Sequence, residues 1–249
     1  AIKISNHLSR KFMSLTISNQ GNADLPKLAK GVYHGTCFRI VDLGESIQEY
    51  KGEKNKRKRV HISFEITEAV DPSDNAVDMD DGRPFAVSKT YTASLFENAA
   101  LRIDLQAWRG KSFTEEELNG FDIGKLLGCT ARIEVGHTEP SDKGAGGNPK
   151  ILSLQRPDGG IEQDKQTKND KQKFDLSVYC DEFKGNSSPE TKAMCDVFES
   201  LPTWHQEEIQ KSFEYEAAVE QGADKPEAES NGGLADLAKD DEKHPDIPF

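Results

Sequence analysis

The chain has 249 residues and a formal net charge of −12, with 35% hydrophobic and 31% charged residues. So polar a chain is not folded throughout around one large core, and part of it is expected to be disordered. No apolar run approaches the roughly 18–20 residues of a membrane span, and Ala1–Arg10 lacks the apolar centre of a signal peptide; a soluble, cytoplasmic protein with no membrane partner is expected.

The charge is unevenly placed. Residues 1–156 hold 22 Lys and Arg against 21 Asp and Glu, whereas 157–249 hold 10 against 23. A near-neutral body joined to an acidic tail hides any basic surface in the whole-chain pI. Cys37, Cys129, Cys180 and Cys195 form no C-x-x-C pair, which points to free thiols in a reducing compartment rather than a zinc ribbon or a disulfide framework. No metal or cofactor is expected.

Residues 1–26 are weakly patterned, with a short strand at Phe12–Ile17. From Gly31 the pattern is that of strands. Val32–Asp42 is the first, followed by a basic polar loop from Gly44 to Lys58. Arg59–Val70 is the second: Val60, Ile62, Phe64 and Ile66 face one way and His61, Ser63, Glu65 and Thr67 the other, the period of a half-buried strand. A turn-rich acidic loop, Asp71–Pro84, leads to a third strand at Phe85–Leu95. Leu101, Leu105 and Trp108 then recur at helical spacing, so Glu97–Trp108 is a predicted helix stopped by Gly110. Thr114 before Glu115, Glu116 and Glu117 is an N-cap with carboxylates in the first turn, and Ile123–Leu127 is a further short turn. Cys129–His137 and Lys150–Gln155 are the fourth and fifth strands, joined by a Gly-rich loop at Ser141–Pro149.

Beyond Arg156, the polar stretch Asp158–Lys173 reads as a linker. Ser188-Pro189-Glu190 is a helix start with Pro at the first position. Met194, Val197, Phe198 and Leu201 supply an apolar stripe, Pro202 breaks it, and Trp204–Val219 is another helix. The expected organisation is an N-terminal extension (1–26), a β domain (27–157), a linker (158–173), a short helical segment (174–220) and a disordered acidic tail (221–249).

Three strands, a helix and two strands is the element order of the OB-fold, a five-stranded Greek-key barrel with a helix between strands three and four. The expected fold is therefore mainly β, an OB barrel with small C-terminal helices. In that fold the loop between strands one and two binds oligonucleotides. Here it carries Lys51, Lys54, Lys56, Arg57, Lys58 and Arg59, opposed only by Glu53. Such a loop follows a phosphate backbone without reading bases. Tyr33 and Tyr91 are candidates for stacking unpaired bases, with Arg39 on Tyr33's face where no bulge intervenes and Lys89 on Tyr91's. Phe38, Phe64, Phe85 and Trp108 read as core. Arg109 and Lys111 are candidate phosphate contacts.

The sequence ends in an acidic stretch and Asp246-Ile247-Pro248-Phe249, a portable docking peptide whose Phe249 ring suits an apolar pocket and whose carboxylates suit a basic surface. This tetrapeptide resembles the tip of bacterial single-stranded DNA-binding proteins, which recruits replication, repair and recombination enzymes. The body resembles the OB-fold single-stranded DNA-binding proteins of tailed phages through Gly31–Arg39, Leu105-Gln106-Ala107-Trp108-Arg109-Gly110-Lys111 and Thr130–His137, with a further likeness in Val197–Tyr215. The acidic run departs from the bacterial pattern at Lys243, His244 and Pro245. The resemblance implies a non-catalytic protein that binds single-stranded DNA without strong sequence preference during replication, recombination or repair, and recruits partners through its tip. An oligomer is compatible with it.

From the residues alone, an interaction adaptor and an RNA-binding OB protein stay open. An OB-scaffold nuclease is less favoured, since no carboxylate cluster or nucleophilic lysine motif is present. Asp71–Gly82 lacks calcium-loop spacing, and Gly144–Lys150 lacks the G-K-[ST] of a P-loop.

Overall fold

The computed structural model describes residues 26–50, 52–71, 76–140 and 147–223. The expected strand at Phe12–Ile17, Lys51 and the acidic tail with Asp246–Phe249 lie outside the described residues.

Strands β1 (Gly31–Tyr50) and β2 (Glu53–Ala69) pair antiparallel along their whole length. Gly52, at φ +82°, supplies the left-handed turn between them. This corrects the expected loop at 44–58: those residues extend both strands into a ribbon. The pairing has a local cause, because Glu45 stands opposite Lys58 and Glu49 opposite Lys54, and opposite charges across a ladder favour it. β3 (Ala86–Thr92) flanks β2, while β4 (Thr130–His137) pairs with Gly31–Thr36 of β1 and β5 (Pro149–Gln155) pairs with β4. The order is β3-β2-β1-β4-β5. A sixth strand, β6 (Gln172–Phe174), runs parallel to Arg39–Val41 of β1. The fold is thus mainly β, an antiparallel sheet with one short parallel addition. The sheet is not closed: β3 and β5 approach within 8 Å between Cα atoms, but no ladder joins them.

Helix α1 (Ala100–Arg109) buries Leu101, Leu105 and Trp108 and ends at Gly110 in the left-handed conformation. The Trp108 indole donates to the Thr130 carbonyl at 2.7 Å and meets Phe64 edge-on at 5.1 Å. A capping box formed by Thr114 and Glu117 opens α2 (Glu115–Asn119), and a 3-10 turn follows at Ile123–Leu126. These elements close the main core around Val60, Ile62, Phe64, Ile66, Leu105 and Ile133.

A second core joins Val41 and Leu43 of β1 to Phe174, Leu176, Phe198, Leu201 and Ile209. Its helices are α3 (Leu176–Cys180), α4 (Pro189–Ser200), α5 (Thr203–Gln210) and α6 (Phe213–Ala223). Ser188 caps α4 with Pro189 in its first turn, as expected. The single helix expected over Trp204–Val219 is two, because buried Ser212 uses its hydroxyl to accept from the Tyr215 N–H and starts a new helix. Asp158–Lys173 is pinned rather than loose: Thr130 and Glu162 exchange hydrogen bonds, Lys165 N–H bonds the Gly128 carbonyl, and Lys168 and Asn169 bond Glu65. Its polar residues match the polar face of the sheet, which composition alone does not reveal. Cys37, Cys129, Cys180 and Cys195 are free thiols. No helix of the described residues is long and apolar enough to cross a membrane.

Candidate nucleic-acid interface

The polar face of β2 is covered along half its length. Beyond the Glu65–Asn169 contact, Arg39 on β1 lies opposite Ser63 and donates to Gln172 at 2.7 Å. Farther along, His61 bonds Thr90 of β3 through Nδ1, with its ring centroid 4.6 Å from that of His205 and 5.2 Å from that of Trp204, both on α5. Arg59 then donates to Glu208, one turn after Trp204, at 2.7 Å. Helix α5 packs against β1 and lays its side chains over those of β2 from His61 to Arg59, while Ser88, Thr90 and Thr92 of β3 stay exposed.

Against this frame of contacts the expected site residues divide. Tyr33 and Tyr91 are both core residues, which corrects their assignment as stacking platforms. Tyr33 donates to the Ala29 carbonyl, and burial raises its pKa. Tyr91 donates to Asp104 of α1 at 2.8 Å, and burial followed by the Asp104 charge raises its pKa. Neither ring has a face to offer a base. The register irregularity at Cys37/Arg39, where Phe38 is the extra residue on β1, separates Arg39 from Tyr33's face. Lys89 does share Tyr91's side and also pairs with Asp104, at 2.7 Å. Arg109 is 8% exposed in its side chain, pairs with Glu117, and lies over the rings of Phe113 and Phe121; it is a packing cation, not a phosphate contact. Lys111 is exposed beside this pair.

The basic ribbon divides too. Arg59 is committed to Glu208 and Ser46, Lys58 pairs with Asp42 at 3.2 Å, and Lys56 lies over the Phe213 ring at 4.4 Å. Lys54 and Arg57 are exposed, and among the described residues no side-chain hydrogen bond or ion pair holds either. Arg57 reaches a groove of about 670 Å³ that it lines with Lys89, Thr90, Thr92, Phe96 and Asn98. Phe96, in the β3–α1 connection, is 84% exposed. Sequence patterning missed it because it falls between a strand and a helix, where no period marks a face. A cluster of Ser94-Leu95-Phe96-Glu97-Asn98 with one large ring in a polar turn was the available signal.

Phe96 and Trp204 are the exposed aromatic rings among the described residues. Thr90 links them, since it lines the groove beside Phe96 and bonds the histidine on which Trp204 rests. A separate cleft of about 450 Å³ between α1, the 3-10 turn and β6 has an apolar floor that includes Leu101, Phe121 and Phe174. Its carboxylates are already used: Asp122 caps Gly124, Asp175 caps α3, and Asp42 pairs with Lys58. Among the described residues no group of three or more His, Cys, Asp or Glu is placed to hold a metal ion. No protein-family model, no curated protein and no solved structure matches this chain.

Proposed function

We propose that this protein binds single-stranded nucleic acid, DNA in the first instance, along the β2–β3 surface and the basic ribbon. The observation that carries the reading is the groove in which Arg57, whose side chain has no ion-pair partner among the described residues, stands with exposed Phe96. A cation for phosphate and a ring for an unpaired base are the two elements of sequence-tolerant single-strand binding. The OB-fold reading is supported by the strand order. The series β3-β2-β1-β4-β5 becomes that barrel when β3 meets β5, and these two approach each other while α1 lies between β3 and β4 in sequence. The ribbon occupies the place of the first OB loop and carries its positive charge on strands. Partner recruitment through Asp246–Phe249 during replication, recombination or repair belongs to the same proposal, on the sequence resemblance alone.

The test is anisotropy of a labelled oligo-dT of about 30 nucleotides, longer than the site size of a single OB domain, over a salt series with duplex as control. Single-strand preference is expected, with log affinity falling linearly against log salt by about 0.7 per phosphate contact. No binding at low salt overturns the reading. Binding of oligo-rU in preference to oligo-dT redirects it to RNA.

A further inference from the structure

We propose that Trp204 is a second base-stacking platform, so that the C-terminal helical segment supplies part of the nucleic-acid interface rather than only a scaffold. This rests on the single-strand reading above.

Trp204 sits in the first turn of α5, and that turn is fixed to the sheet on its inner side. His61 and His205 hold the indole at 5.2 and 5.0 Å between ring centroids. The Arg59–Glu208 pair anchors the next turn, with side-chain exposures of 12% and 17%. The residue remains 44% exposed although its ring is packed against two histidines. Core packing does not explain it, because Ile209 and His205 already bury the inner face of the helix. His205 adds a second anomaly: it is 5% exposed, and both its ring nitrogens are buried without a hydrogen-bond partner among the described residues. Unsatisfied buried groups are uncommon and costly, and an unpaired imidazole beneath an exposed indole is an expensive way to seat a helix.

The location selects the ligand. Trp204 stands next to His61, which bonds Thr90, and Thr90 lines the groove that holds Phe96 and Arg57. A strand stacked on Phe96 and held at phosphate by Arg57 therefore meets Trp204 if it continues across the outer face of β3. The Arg39 guanidinium lies near both histidines and adds positive potential there. Glu208, one turn along, is neutralised by Arg59 and Lys211, while Glu207 is exposed and opposes the approach of phosphate. Stacking needs an unpaired base, so the expected ligand is a single strand long enough to span both rings.

The chain has two tryptophans, and Trp108 is fully buried, so it gives a background that a ligand cannot reach and a change in tryptophan emission on stacking comes from Trp204. On titration with oligo-dT the emission of the full-length protein is expected to fall, and Trp204→Phe is expected to abolish that fall while still binding by anisotropy. Trp204→Ala is expected to weaken binding by roughly five- to 150-fold, with an unchanged urea midpoint showing that the helix still docks. Binding by anisotropy with no change in tryptophan emission, and with Trp204→Ala as tight as the parent, overturns the role of Trp204 and leaves the groove reading intact. Should Trp204→Ala unfold, the emission change assigned by Trp204→Phe decides alone. Absence of any binding overturns both proposals.

Discussion

The buried Glu65 carboxylate accepts hydrogen bonds from the backbone N–H groups of Lys168 and Asn169, at 2.8 and 2.7 Å, and from the Asn169 side-chain amide at 2.7 Å. A charge on the outward face of β2 is thus the acceptor that holds the 158–173 segment to the sheet. Replacement by alanine leaves two backbone donors without an acceptor, each worth about 1–3 kcal/mol when buried. Glu65→Ala is expected to lower unfolding free energy by about 2–4 kcal/mol in urea titrations and to open the Gln163–Asp170 stretch to proteolysis. A loss under about 0.5 kcal/mol, the range of an ordinary surface change, would show that the segment is held by other contacts.

Gly44 ties the two cores in a different way. It has φ +70° beside the Asp42/Gly44 register shift, and a Cβ there would stand 2.5 Å from Leu176 Cδ2 and 2.5 Å from Ser212 Cβ. Both the backbone conformation and the space require glycine. Gly44→Ala is expected to cost about 2–4 kcal/mol from strain and overpacking together. It acts on the packing of α3 and of the α5–α6 turn against β1. Gly52, at the ribbon turn, has no atom of the described residues within 4 Å of such an atom, so Gly52→Ala carries the backbone strain alone, about 1 kcal/mol. Comparing the two urea midpoints separates strain from crowding; equal losses would sink the packing account.

Element order was legible because it is written in local signals: the alternation Val60–Ile66, the helical spacing of Leu101, Leu105 and Trp108, the Thr114 and Ser188 caps, and Gly110. What covers the second face of a strand is not local. His61, Ser63 and Glu65 are polar and read as solvent-facing, yet all are buried: Lys168 and Asn169, more than a hundred residues on, satisfy Glu65, and Trp204 and His205 pack over His61, whose hydrogen bond goes to Thr90 on the neighbouring strand. The same blindness misplaced Tyr33 and Tyr91. A tyrosine on a strand reads equally as core or platform until its hydroxyl finds an acceptor, here Ala29 and Asp104. Of the basic run, sequence found the charge but not which cations were spent. Arg59 is held by a glutamate 149 positions away, and Arg57, two residues earlier, is not held by any described residue.

That difference between neighbours makes a prediction. Arg57→Ala is expected to weaken oligo-dT binding and to reduce the slope of log affinity against log salt by about 0.7, one phosphate contact on a single strand. Phe96→Ala is expected to weaken binding by about 1–3 kcal/mol while leaving the salt slope unchanged, since a ring contributes stacking and no charge. Both side chains are exposed, so unfolding free energies are expected to move by less than about 0.5 kcal/mol. The pairing of effects is the test: a Phe96 variant that changes the slope, or an Arg57 variant that does not, contradicts these roles.

The His61–His205 contact makes the docking of α5 depend on pH. Burial pushes the His61 pKa down to about 3, with His205 and Arg39 adding to the effect, and burial followed by Arg39 pushes His205 down to about 4. Both stay neutral in the folded protein well below their ordinary value of 6.5. Under those conditions the unfolded chain takes up protons that the folded chain does not, so stability is full above pH 6.5 and is lost as pH falls towards 4. A loss of about 3–4 kcal/mol between pH 7 and pH 5, half from each histidine, is expected in urea titrations. The pairs of Glu208 with Arg59 and Lys211 are not the cause in that window, because they hold the carboxyl below its ordinary value of 4.5 against the opposing effect of burial. The His205 ring makes no hydrogen bond to a described residue, so His205→Leu is expected to keep the fold and to flatten the slope by about half. Because α5 carries Trp204, any tryptophan response to oligo-dT is expected to fade over the same pH range in the parent protein and to persist to lower pH in His205→Leu. Identical pH slopes for the two proteins would rule out the histidine pair as the cause.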